Sequence, residues 1–137
     1  MGLSDPYHNL LELIASAADV CLKPWLHAVV MVDGLEDIGS LNEEKVSSLD
    51  LSVRIESRDS QGNRQPDRDL ELEIYQSGND VSLMLSWASF PDSPLLWQGQ
   101  YPVWMDASNG KRCDAPTDGT ELESLARRLR ALIEPLS

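Results

Sequence analysis

Basic residues are scarce in this chain of 137 amino acids: 11 lysines and arginines stand against 23 acidic residues, a formal net charge of −12. A field of that sign repels phosphate backbones and anionic headgroups, so neither nucleic acid nor a membrane surface is expected as a partner. Cysteine is scarcer still. Cys21 and Cys113 are too few for a disulfide framework and fit a reduced, cytoplasmic protein. Long apolar runs are missing too: the longest, Ala28 to Val32, falls far short of the roughly 20 residues of a membrane helix. The N-terminus has no basic stretch leading into an apolar one, so no secretory signal is expected. Met1-Gly2 opens like a myristoylation site, but Pro6 stands where that pattern needs Ser or Thr.

The motifs of catalysis are equally absent. The eight glycines are scattered singly, with no phosphate-cradling cluster between a strand and a helix. There is no G-x-S-x-G elbow, and no serine has a histidine to serve it. His8 and Glu12 share a helix face but are short of the three or four ligands that zinc needs. His27 has no ligand neighbour. Asp59-Ser60-Gln61-Gly62-Asn63 lacks the carboxylate ladder and closing Glu of a calcium loop. Glu36-Asp37 and Glu43-Glu44 are adjacent, so they point apart and read as solvated charge. Cys21 lies on an apolar stripe as a small hydrophobe, while Cys113 follows Lys111-Arg112, a setting that favours a thiolate if exposed. No metal, no cofactor and no catalytic residue are expected.

What is present is periodicity. Ser4-Asp5-Pro6 offers a helix cap with proline at the first turn, and Leu10, Leu11, Ile14, Ala17, Ala18 and Cys21 recur at helical spacing. Pro24 limits that helix, and 26–33 reads as a buried strand ended by Gly34. Ser40 with Glu43 resembles a capping box, so a short helix and a solvated loop compete over 40–48. From Asp50 the period becomes two. Leu51, Val53 and Ile55, then Leu70, Leu72 and Ile74, then Val81, Leu83, Leu85 and Trp87 alternate with polar residues. Ser77-Gly78-Asn79 supplies a turn between the last two. This predicts an antiparallel meander with one face on a core and one in water, Arg54 pairing across strands with Glu71 or Glu73. Leu95 to Met105 resumes extended structure, and Pro102 marks it as an edge. Asn109-Gly110 predicts a type I′ turn and a returning segment through Cys113. Thr120 and Glu123 form a capping box for a final helix with Leu122, Leu125, Ala126, Leu129 and Ile133 on one stripe, ended by Pro135. The expected fold is a single α+β domain over 1–137. It is a two-layer sandwich in which N- and C-terminal helices pack on an antiparallel sheet made of the meander and an aromatic edge hairpin.

The unusual feature is aromatic. Of eight aromatic residues, five fall between positions 87 and 104: Trp87, Phe90, Trp97, Tyr101 and Trp104. Tryptophan fills cores, but Trp and Tyr also anchor interfaces, and an edge segment apolar on both faces cannot turn both toward one core. These five are the candidate binding residues. Small size, low pI and terminal amphipathic helices resemble secretion chaperones in composition, with no motif shared. The leading expectation is a non-catalytic, cytoplasmic adaptor or chaperone-like protein, a homodimer that engages a protein partner. One rival is a small enzyme or small-ligand binder with its site between sheet and helices. Another is an acidic inhibitor of a basic protein.

Overall fold

The period-two strands of this chain pair in the order in which they occur. In the computed structural model, which describes residues 8–33, 48–77, 80–90, 92–117 and 119–133, the elements follow as α1 (His8–Cys21), β1 (Leu26–Asp33), β2 (Ser48–Arg58), β3 (Leu70–Ser77), β4 (Asp80–Trp87), β5 (Leu95–Gln98), β6 (Pro102–Met105) and α2 (Gly119–Ile133). The six strands form one sheet in order β1-β2-β3-β4-β5-β6. Every neighbouring pair is antiparallel.

Register fixes which side chains share a face, because a slip of one residue would turn each strand over. One row runs across all six strands: Met31, Val53, Leu72, Leu85, Leu96 and Trp104 are successive partners. It lies on the helix side, and Val53 to Trp104 of that row are buried. Leu51, Ile55, Leu70, Ile74, Val81 and Leu83 complete the sheet's share of the core. The expected meander and its inward residues are therefore present, and Arg54 pairs with Glu71 at 3.5 Å.

Both helices cover this one face. α1 lies on β1 and beside α2, which spans β4 and β5. The predicted stripes face the sheet: on α1 Leu10, Ile14, Ala17 and Ala18 are buried while Leu11 and Cys21 are half-buried against them, and on α2 Leu122, Leu125, Ala126, Leu129 and Ile133 are buried. Arg130 adds a polar tie, its Nε donating to the Val81 carbonyl at 2.8 Å. This is the α+β two-layer arrangement read from the sequence.

Three local expectations are corrected. The strand read as buried, β1, lies at the edge of the sheet, with Leu26, Val30 and Val32 exposed and Val29 and Met31 only half-buried, because one side of it has no neighbouring strand among the described residues. At Asn109-Gly110 only the glycine takes a positive φ, +73°. A type I′ turn needs positive φ at both central residues, so the connection is a longer loop. It is closed by Gly110 N–H to the Asp106 carbonyl and Asp106 N–H to the Lys111 carbonyl. The returning segment does form, with Arg112 bridging to Met105. The capping box fails for a tertiary reason. α2 already includes Gly119, so Thr120 is inside the helix, and the Glu123 carboxylate accepts from the Trp104 indole instead. The Ser4-Asp5-Pro6 cap, the 40–48 segment and the Gly78-Asn79 turn lie outside the described residues.

Candidate functional site

The five clustered aromatics separate once the chain folds, because alternation sends neighbours in a strand to opposite faces. Trp104 belongs to the core. Its ring is 5% exposed, sits against the start of α2 where a Cβ on Gly119 would come within 3.0 Å of it, and donates Nε1–H to Glu123 at 2.6 Å. Trp97 lies on the opposite, helix-free face. Tyr101, in the link between β5 and β6, is 76% exposed. Trp87 is half-buried at the end of β4, and Phe90 beyond it is 49% exposed.

Among the described residues no element covers the second face of the sheet. Its central row is Ser52, Glu73, Met84, Trp97 and Val103, successive partners across β2 to β6. Tyr75, two residues beyond Glu73 on the same face, stacks on Trp97 with ring centroids 5.8 Å apart and planes 24° from parallel. The Tyr75 hydroxyl donates to Glu73, and that bond, with partial burial, pushes the phenol up to about 12. The β4–β6 half of this face thus carries Met84, Leu95, Trp97, Val103 and Met105, all half-buried. Leu26, Val30 and Val32 of β1 are exposed large apolar residues at the far edge. Between them Asp50, Glu56, Glu71 and Glu73 outnumber Arg54 and Arg58.

At the end of the sheet where β2 runs into β3, the connection is built rather than loose. Asp59 accepts from the backbone of Gln61 and Asn63, and its carboxyl is held below the usual range by those bonds, Asn63 foremost. Gly62, at φ +90°, turns the chain in a conformation that L side chains rarely adopt. Asp69 is buried, which pushes its carboxyl up, but Arg64 and the Ser57 N–H outweigh this and hold it below the ordinary value. Arg64 reaches Asp69 with both terminal nitrogens, at 3.0 and 2.8 Å. Ser57 N–H donates to the same carboxylate at 2.9 Å, and Ser57 Oγ donates to the Arg68 carbonyl at 2.7 Å.

Arg68 follows from that anchoring. Its guanidinium carbon stands 4.7 Å from the Trp25 ring centroid and 5.7 Å from that of Trp87. This cation–π sandwich joins the start of β1 to the end of β4. A cleft of about 210 Å³ opens beside it. Sequence reading missed Arg68, Trp25 and Tyr75. The only advance signal was Tyr75 on the wet side of its strand, since nothing local reveals that Trp25 and Trp87 converge.

A wider, shallow groove of about 530 Å³ runs between the helices and includes Cys21, Ser124 and Arg128. Both cysteines are half-buried and free. His27 Nδ1 lies 2.9 Å from Asp19, which the carboxylate accepts as a hydrogen bond. No cluster of metal-ligating residues occurs among the described residues, and no helix there is long and apolar enough to cross a membrane.

Residues 11–132 match the family model of a domain of unknown function, DUF8659. The chain belongs to the DUF8659 family. No curated protein and no solved structure matches the chain. For this DUF8659 member the chemistry of the two sheet surfaces is therefore the ground for a functional reading.

Proposed function

We propose that the chain is a non-catalytic binding protein whose helix-free sheet face docks a basic partner protein, acting in the cytoplasm where its two free thiols stay reduced. The observation that carries this reading is the Tyr75–Trp97 stack in the middle of a face that no described element covers. Aromatic rings held rigid by stacking and by the Tyr75–Glu73 bond lose little freedom on association, which is why such residues anchor interfaces. The rim decides the sign of the partner. Asp50, Glu56, Glu71, Glu73 and Asp80 lie on β2–β4 beside the apolar residues, with Arg54 and Arg58 as the only positive groups in these positions, on a chain of net charge −12. A second copy carries the same charge, so complementarity favours a different, positively charged protein over sheet-to-sheet pairing of two copies.

The test is capture from the native source with three baits: the wild type, Trp97→Ala, and Leu13→Asp on the exposed part of α1. A basic protein should be enriched by the wild type and by Leu13→Asp, and lost with Trp97→Ala, which should weaken binding by about 2 kcal/mol. Equal enrichment by the wild type and Trp97→Ala overturns the assignment of the face.

A further inference from the structure

Arg68 is the arginine of its neighbourhood that no acid among the described residues claims. Arg54 pairs with Glu71, Arg58 with Glu56, and Arg64 with Asp69 and Glu56. Among the described residues the Arg68 guanidinium makes only its two contacts with indole faces. That is unexpected in a chain with 23 acidic residues, and it is not a consequence of freedom. Its backbone is fixed on both sides, with Arg68 N–H donating to the Gln65 carbonyl at 2.9 Å and its own carbonyl accepting from Ser57. Contact with two ring faces restrains the guanidinium without using its N–H donors, and an arginine so held can bind a carboxylate through two parallel bonds.

The adjoining cleft, about 210 Å³, is lined by Asp67, Arg68, Trp87, Phe90 and Ser93. That is below the roughly 300–1,000 Å³ of sites for drug-sized ligands. Its walls are tied together. Ser89 Oγ donates to the Pro66 carbonyl at 2.9 Å, Ala88 N–H donates to the Asp69 carbonyl, and Ser93 N–H closes a turn on the Phe90 carbonyl. The cleft therefore presents one positive pole, one negative pole in Asp67, a hydroxyl, and two aromatic rings. A simple anion meets Asp67 and the −12 field. A simple cation meets Arg68. A ligand carrying both charges on an apolar body meets neither penalty.

We propose that this cleft binds a small zwitterion, an amino acid with an apolar side chain. Its carboxylate pairs with Arg68, its ammonium faces Asp67, and its side chain lies against Trp87 and Phe90. This site is at the end of the sheet, distinct from the helix-free face, and stands or falls independently of partner docking there.

The experiment titrates L-phenylalanine into the full chain and follows the indole N–H signals of the four tryptophans by proton–nitrogen correlation NMR. Saturable shifts are expected at Trp25 and Trp87, with Trp97 and Trp104 unmoved. Phenylalanine amide, which lacks the negative charge, and N-acetyl-phenylalanine, which lacks the positive one, should each bind at least about tenfold more weakly, a difference of about 1.4 kcal/mol. Arg68→Gln should abolish saturation. Asp67→Asn, at an exposed position, should weaken phenylalanine but not its N-acetyl derivative, and so tests the site even if Arg68→Gln unfolds. Absence of saturation in the wild type overturns the proposal. So does binding of N-acetyl-phenylalanine or inorganic phosphate as tight as that of phenylalanine.

Discussion

Asp69 is the residue whose loss has the most direct consequence. Its carboxylate satisfies the N–H of Ser57, a residue with no exposed surface, and receives both terminal nitrogens of Arg64. Asp69→Ala leaves that buried N–H without a partner, a cost of about 1–3 kcal/mol in denaturant unfolding. The pH dependence has a defined sign. The folded state holds the Asp69 proton less tightly than the unfolded chain does, so its contribution is complete above the ordinary carboxylate value and is lost as pH falls through the lower folded value. Acid unfolding should show this, and Asp69→Ala should flatten the loss. Tyr75 gives the opposite case. Its phenol is pushed up from 10.0 to about 12 by the bond to Glu73, so that contribution is complete below pH 10.0 and disappears as pH rises toward 12. Absorbance titration should resolve one of the three tyrosines ionising late, and Glu73→Gln should bring it back toward the ordinary value.

At the scale of elements, the sheet is held by alternation and the helices by stripes. Leu129 of α2 has no exposed surface, and Leu129→Ala should cost about 2–5 kcal/mol, the range for truncating a buried leucine. A loss below about 0.5 kcal/mol in chemical denaturation would mean that the stripe does not pack on the sheet. The faces of β2, β3 and β4 and both helical stripes were legible beforehand, because each is a local periodicity that survives any choice of topology. The Thr120–Glu123 capping box was misread. Glu123 lies one helical turn from Gly119, where the Trp104 indole arrives, and a short bond to that N–H at 2.6 Å takes the carboxylate that the local pattern assigns to the helix end. Asn109-Gly110 shows the same competition on a smaller scale. Asp106 accepts through its side chain from both the backbone and the hydroxyl of Ser108, and this stabilises the longer loop over a two-residue turn.

At the scale of the molecule, charge and layering act together. With both helices on one face, the meander offers the other to whatever chemistry its rows carry, and the proposed docking there rests on acidic residues that favour a basic partner. Association at that face should therefore weaken as salt is raised, most steeply at low ionic strength, before the Debye length has fallen to about 10 Å near 0.1 M. A partner isolated by capture should lose association rate more than it gains dissociation rate under added salt, measurable by surface-based kinetics. Salt-independent binding would assign the interface to the apolar residues alone.

Sequence alone determined the class of fold, the inward residues of β2, β3 and β4 and the buried stripe of each helix, since period is a property of residues near one another in the chain. It also determined the net charge of −12 on which the proposed choice of partner rests. The tertiary structure decided where the aromatic residues went. The run from Trp87 to Trp104 reads as one cluster, yet alternation places Leu96 and Trp104 against the helices and Trp97 on the opposite face beside Tyr75. The meeting of Trp25, Arg68 and Trp87 is likewise invisible in the chain. These residues come from the beginning of β1, the turn before β3 and the end of β4, and they converge only because antiparallel pairing brings those strand ends to one side of the sheet.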